Sequence, residues 1–173
     1  MRAPRADTVD VEVLATEGAS LERRYSLDQF ERLADVLVEH EGAVTAWFRF
    51  LEAADGLPAC ELRVEAEVSL RCQRCLQPVR RVIGSVSRLA FVSRDEDATR
   101  VPAECEAVTG DVERIDLVGL VEDELLLSLP VVALHAEGTP CAAEARGAGA
   151  GTVAAEAAET HRPFARLKDL LEH

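Results

Sequence analysis

The clearest alternation of apolar and polar positions lies near the middle of the chain. Leu62, Val64, Ala66, Val68 and Leu70 alternate with Arg63, Glu65, Glu67, Ser69 and Arg71, which predicts a strand with one buried and one wet face. Val79 to Val92 resumes a β-favouring composition after Pro78, so the two runs predict an antiparallel pair with Cys72-Gln73-Arg74-Cys75 at its tip. Val44 to Leu51, with Thr45, Trp47 and two phenylalanines, predicts another strand, and Trp47 is expected in the core because strand aromatics usually supply buried area. Val9, Val11 and Val13 alternate with Asp10 and Glu12 and predict a short strand. Val108 to Ile115 is a weaker strand candidate around Gly110-Asp111.

Helical spacing occurs twice in the body of the chain. Ser26, with Gln29 three residues on, has the form of a capping box. Leu27, Phe30, Leu33, Ala34 and Leu37 follow, so a helix is expected to about His40, with Gly42 ending it. Asp116 opens the second, which carries Leu117, Leu120, Val121, Leu125 and Leu126 and stops at Pro130. Its Leu125-to-Leu129 end is expected to be well buried, and Glu122-Asp123-Glu124 to form a solvated face. Residues 142–160 are dominated by Ala, Gly and Glu and predict a linker. Phe164, Leu167, Leu170 and Leu171 then mark a short amphipathic helix, too short to stand alone in water.

These elements predict an α+β fold: a mainly antiparallel, curled sheet of about five or six strands with two packing helices, in a single domain over 1–141. A flexible linker (142–162) and the terminal helix (163–173) follow. No stretch approaches the ~18 apolar residues of a membrane span, the start has no secretory h-region, and five scattered cysteines suit a reducing compartment. A cytoplasmic protein is expected, with no membrane partner and no small-molecule substrate.

Charge changes the picture. The chain carries a net −13, yet residues 68–94 hold six arginines and no acid. Arg71, Arg74, Arg80, Arg81 and Arg88 are therefore candidates for contact with RNA or a protein partner, since a guanidinium fork suits phosphate. No aromatic RNA-binding motif accompanies them, and a solvated face remains the alternative.

The thiols allow several chemistries. Zinc takes four nitrogen or sulfur ligands, and Cys72, Cys75, His135 and Cys141 can supply them. Against this, Leu76 stands where a zinc knuckle usually has glycine, and reduced cysteines in a packed loop are the alternative. A thioredoxin-like redox pair needs a helix immediately after the motif, and Pro78 disfavours one. Cys60 and Cys105 have no partner spacing and read as small apolar residues. No phosphate loop and no Ser/His/Asp arrangement is present, so no catalytic residue is assigned.

Several of these segments occur together in one known family. Tyr25-Ser26-Leu27-Asp28-Gln29, Leu70-Arg71-Cys72-Gln73-Arg74-Cys75, the run from Ile115-Asp116-Leu117 through Glu122-Asp123-Glu124 to Leu129-Pro130, His135 with Cys141, and Pro163-Phe164-Ala165 resemble, in order, the bacterial YceD family. The residues before Tyr25 match poorly, and Leu76 replaces a glycine that some relatives carry. The resemblance implies a cytoplasmic role in the synthesis, processing or accumulation of large-subunit ribosomal RNA, and brings no catalytic residue. The expected function is thus a non-enzymatic ribosome-biogenesis factor. Its expected partners are large-subunit ribosomal RNA or a pre-ribosomal particle, or a basic ribosomal protein. The alternatives are a zinc-dependent or thiol enzyme acting on RNA or a ribosomal protein, and an acidic adaptor.

Overall fold

The structure, a computed structural model, describes residues 7–53, 56–136 and Cys141, apart from the side chain of Glu96. The expected linker and terminal helix lie outside the described residues. In chain order the elements are β1 (Thr8–Val9), α1 (Val11–Glu17), β2 (Ser20–Ser26), α2 (Glu31–Ala34), β3 (Ala43–Glu52), β4 (Pro58–Arg71), β5 (Pro78–Val92), β6 (Glu106–Thr109), β7 (Ile115–Asp116) and α3 (Leu117–Ser128), with 3-10 turns at Leu27–Gln29 and Asp95–Arg100. The architecture is α+β, as the sequence predicts. An open five-stranded sheet runs β2-β3-β4-β5-β6, while β1 and β7 form a separate pair. Strands β2 to β5 are an antiparallel meander, and β6 lies parallel to β5, reached by a connection through the second 3-10 turn.

One face of the sheet is the core. Val44, Ala46, Phe48 and Phe50 of β3 meet Leu62, Val64, Ala66 and Val68 of β4 and Ile83, Leu89 and Phe91 of β5, all buried. Helices α1 and α3 cover this face. The period-2 pattern of β4 is thus realised without a slip, and β4 and β5 stay in register from Ala59↔Ala90 to Arg71↔Pro78. Such a register holds because a one-residue shift would carry every buried side chain to water.

Several expectations need correction. The valine alternation at 9–13 does not continue as a strand: Asp10 Oδ1 accepts from Val13 N–H at 3.0 Å and caps α1, which Gly18 closes with φ 61°. Within that helix Val11 and Ala15 are buried and Val13 is 50% exposed, the spacing of a helix face. The long helix expected from Ser26 to His40 is instead a 3-10 turn, an extended Phe30 and the four-residue α2. Leu27, Phe30, Leu33 and Leu37 are all buried nonetheless, so the spacing identifies what is buried but not the backbone that buries it. Trp47 is not in the core. It is half-buried on the outer face, opposite Arg63, whose guanidinium sits 5.3 Å from the ring centroid.

The acidic trio on α3 is the most consequential difference. Glu122 and Glu124 are buried at 8% and 5% exposure, and Asp123 alone is open. Glu122 Oε1 accepts from the backbone N–H groups of Arg32 (2.7 Å) and Leu33 (3.0 Å), the first turn of α2, and its other oxygen accepts from Arg32 Nε. A carboxylate from one helix thereby caps another. Glu124 accepts from the hydroxyls of Ser85 and Ser87 on β5, fixing α3 to the sheet. Leu127 is 75% exposed, so the C-terminal end of α3 is not apolar-buried all round as expected.

Candidate metal centre

The β4–β5 hairpin delivers Cys72 and Cys75 at its tip, where the sequence places them. Cys72 N–H donates to Gln77 O at 2.9 Å, and Leu76 N–H to Cys72 O at 2.8 Å, closing a tight loop. That loop needs a left-handed residue, and Leu76 adopts φ 64°, among the described residues the only positive φ outside glycine. The leucine thus takes the backbone conformation that glycine supplies in other knuckles, and its presence does not abolish the turn.

The segment after α3 returns to this loop. Gln73 N–H donates to Ala133 O at 2.9 Å, and the guanidinium of Arg81 donates to Leu134 O. His135 follows, with Nε2 3.0 Å from Pro78 O. A carbonyl can only accept, so Nε2 carries the proton and the Nδ1 lone pair faces the thiols. Nδ1 lies 3.5 Å from Cys75 Sγ, and Cys72 Sγ lies 3.7 Å from Cys141 Sγ. The four ligand atoms of Cys72, Cys75, His135 and Cys141 all fall within 4.8 Å of one another.

These separations can be compared with what a metal demands. Zn–S bonds of about 2.3 Å and Zn–N bonds of about 2.0–2.1 Å set the edges of a tetrahedron at roughly 3.8 Å for S···S and roughly 3.5 Å for S···N. The two measured pairs match those edges, and 3.7 Å is far beyond the ~2.05 Å of a disulfide. Cys72 and Cys141 are buried, Cys75 and His135 half-buried. The donor set, its size and its burial fit a metal ion.

The electrostatics already favour one thiolate. Burial pushes the Cys72 thiol up, but the amides of Cys75, Arg74 and His135 aimed at its sulfur, with the His135 ring, bring it down to about 5. Cys141 is pushed up to about 12 by its hydrogen bond with Cys75, by burial and by the neighbouring Cys72. A bound cation displaces such protons and holds the sulfurs as thiolates.

The arginine candidates do not form one patch. Arg71 and Arg74 are exposed beside the loop and form no ion pair with the described residues. Arg80 lies 3.5 Å from Glu67 and Arg88 3.9 Å from Glu61, so the acids of β4 stand across from them. Arg81 is turned to the Leu134 carbonyl. Arg88 is paired to the far end of β4, against Glu61. What sequence spacing misses here is the supporting set: Pro78 O, Arg81 and the left-handed Leu76. The return of His135 to Pro78, across 57 positions, has no local pattern to announce it.

The family model described as large ribosomal RNA subunit accumulation protein YceD matches residues 60–171, a range that includes Cys72, Cys75, His135 and Cys141. A protein of that name from Haemophilus influenzae is 31% identical over 147 residues, 84% of each chain. The chain belongs to the YceD family. No solved structure matches it. Among the described residues, no helix is long and apolar enough to cross a membrane.

Proposed function

We propose that this YceD-family chain is a non-enzymatic cytoplasmic factor for the accumulation of large-subunit ribosomal RNA, stabilised by a structural zinc ion on Cys72, Cys75, His135 and Cys141. Family membership over most of the chain carries the biological role. The ligand set supports the non-enzymatic part. Four protein ligands fill a tetrahedral zinc, whereas a catalytic zinc keeps one position for water or substrate. When bound, the ion supplies a crosslink and no reactive centre. Cys72 and Cys75 hold the hairpin tip, and His135, oriented by Pro78 O, holds the returning segment. Two experiments test this reading. Elemental analysis of purified protein is expected to give one zinc per chain, lost in Cys72→Ser. Cells carrying Cys72→Ser/Cys75→Ser are expected to accumulate less large-subunit ribosomal RNA than cells with the parent chain. Absence of stoichiometric zinc rejects the metal, and unchanged RNA levels with the gene deleted reject the role.

A second observation bears on how RNA is reached. Arg80 and Arg88 sit against Glu67 and Glu61, which leaves Arg71 and Arg74 as the cations of the hairpin best able to meet phosphate. The net charge of −13 suits a basic ribosomal protein better than a phosphate backbone. Association through such a protein is therefore the favoured route. A pull-down treated with ribonuclease distinguishes the two. Partners that survive treatment support the adaptor, and partners that vanish, with crosslinks lost in Arg71→Ser/Arg74→Ser, support direct contact.

A further inference from the structure

Beside the Cys72–Cys75 loop lies a mainly apolar groove of roughly 410 Å³, walled by Val36, Leu70, Leu76, Leu129, Pro130 and Ala133, with Arg71 and Gln73 as its polar lining. Val36 and Leu76 are 47% and 63% exposed, although both are large and apolar. Monomers rarely leave such side chains clustered in the open without an occupant. The groove is built from three separate parts of the chain: the turn after α2, the Cys72–Cys75 loop with the end of β4, and the turn after α3. A feature assembled from such distant segments is a surface of the tertiary fold and not a local accident of one loop.

We propose that this groove is the docking site of the chain's own C-terminal segment, residues 163–171. Three observations point to that occupant. The first is where the chain leaves. Cys141 is buried with its sulfur 3.7 Å from Cys72 Sγ, so the outgoing chain starts at the same loop that supplies Leu76 to the groove. The second is reach. Residues 142–162 are Ala-, Gly- and Glu-rich, and 21 residues at coil dimensions would reach roughly 25 Å root-mean-square. The third is chemistry. Phe164, Leu167, Leu170 and Leu171 recur at i, i+3, i+6 and i+7, an apolar stripe on a segment too short to be stable by itself. The family match also runs on to residue 171 and so includes this segment with the metal ligands.

An amphipathic helix laid in a hydrophobic groove is an established mode of recognition, and tethering makes it intramolecular. The segment covers Val36 and Leu76, and the metal loop fixes the point from which it is tethered.

Hydrogen exchange on the purified full-length chain tests the proposal. The amides of residues 164–171 are expected to exchange at least about tenfold more slowly in the parent chain than in a Val36→Glu/Leu76→Asn variant. Val36 is about half exposed and Leu76 mostly so, and asparagine tolerates the left-handed backbone at 76, so the variant is expected to keep its fold by circular dichroism. The reciprocal variant Phe164→Ser/Leu167→Ser, which leaves the domain untouched, is expected to release the segment in the same way. Three outcomes overturn the proposal: no protection in the parent chain, protection unaffected by the groove variant, and protection that disappears on dilution, which assigns the groove to a second copy. The experiment reads neither zinc nor ribosomal RNA, so its failure leaves the proposed function standing.

Discussion

Leu76 holds a conformation that costs an L-residue roughly 1–2 kcal/mol, and it does so to close the loop that carries Cys72 and Cys75. Glycine at this position relieves that strain but gives back about 0.5–1 kcal/mol in unfolded-state entropy. Leu76→Gly is therefore expected to raise the unfolding free energy modestly, by up to ~1 kcal/mol, in denaturant melts. A β-branched residue cannot follow, so Leu76→Val is expected to lower it by ~1 kcal/mol or more. Equal behaviour of the two variants would show that the left-handed turn is not what the loop requires. Cys60 makes a separate prediction. Its thiol is buried, and that burial pushes it from 9.0 to about 12. Above pH 9 the unfolded chain loses this proton while the folded chain keeps it, so stability falls as pH rises from about 9 to about 12. Cys60→Ala is expected to flatten that slope while lowering stability at neutral pH. An unchanged slope assigns the alkaline loss to another group.

At the scale of elements, the β4–β5 hairpin depends on one small residue. A Cβ added at Gly84 would come within 2.8 Å of the Val64 carbonyl, a backbone atom held in the ladder. Overpacking of this kind typically costs ~1–3 kcal/mol, so Gly84→Val is expected to lower the denaturation midpoint and to loosen the metal loop further along the same strands. Glu122 does comparable work between helices. Glu122→Ala leaves the Arg32 and Leu33 amides without their carboxylate, and a loss of ~1–3 kcal/mol is expected in denaturant melts, against less in the exposed Asp123→Ala. These contacts also explain what the sequence made legible. Strands β3, β4 and β5 could be read because each buries one face, and α3 could be read because Asp116 and Pro130 bracket it. The backbone of α2 could not, because Glu122, about 90 positions away, sets where its first turn begins. For the same reason, three consecutive acids looked solvent-facing: the hydroxyls and amides that receive two of them lie on β5 and α2, outside any local window.

For the molecule as a whole, the candidate metal centre brings together segments that the sheet does not join. Cys72 and Cys75 belong to the hairpin, whereas His135 and Cys141 belong to the chain after α3, and among the described residues the two are bridged by hydrogen bonds from Gln73 N–H to Ala133 O, Gln73 Nε2 to Val131 O, Arg81 to Leu134 O and His135 Nε2–H to Pro78 O. Large core side chains such as Phe48, Phe50, Leu62 and Phe91 come from β3, β4 and β5, although buried Cys72 and Cys141 belong to the same cluster. Removing zinc is thus expected to free the returning segment first and to leave the sheet folded. On the proposed zinc reading, metal held at about a thousand times its dissociation constant would stabilise the fold by ~4 kcal/mol, which corresponds to roughly 8–16 °C in Tm for a chain of this size. A chelator is expected to lower the melting temperature by that order, while amide exchange rises at Gln73, Leu76 and residues 133–136 and stays slow in β3 and β4. Because ligand thiols must lose protons, the chelator concentration needed is expected to fall as pH falls. Simultaneous loss of protection in β3 and β4 would mean that the metal nucleates the whole fold, and an unchanged melting temperature would mean that it contributes nothing to it.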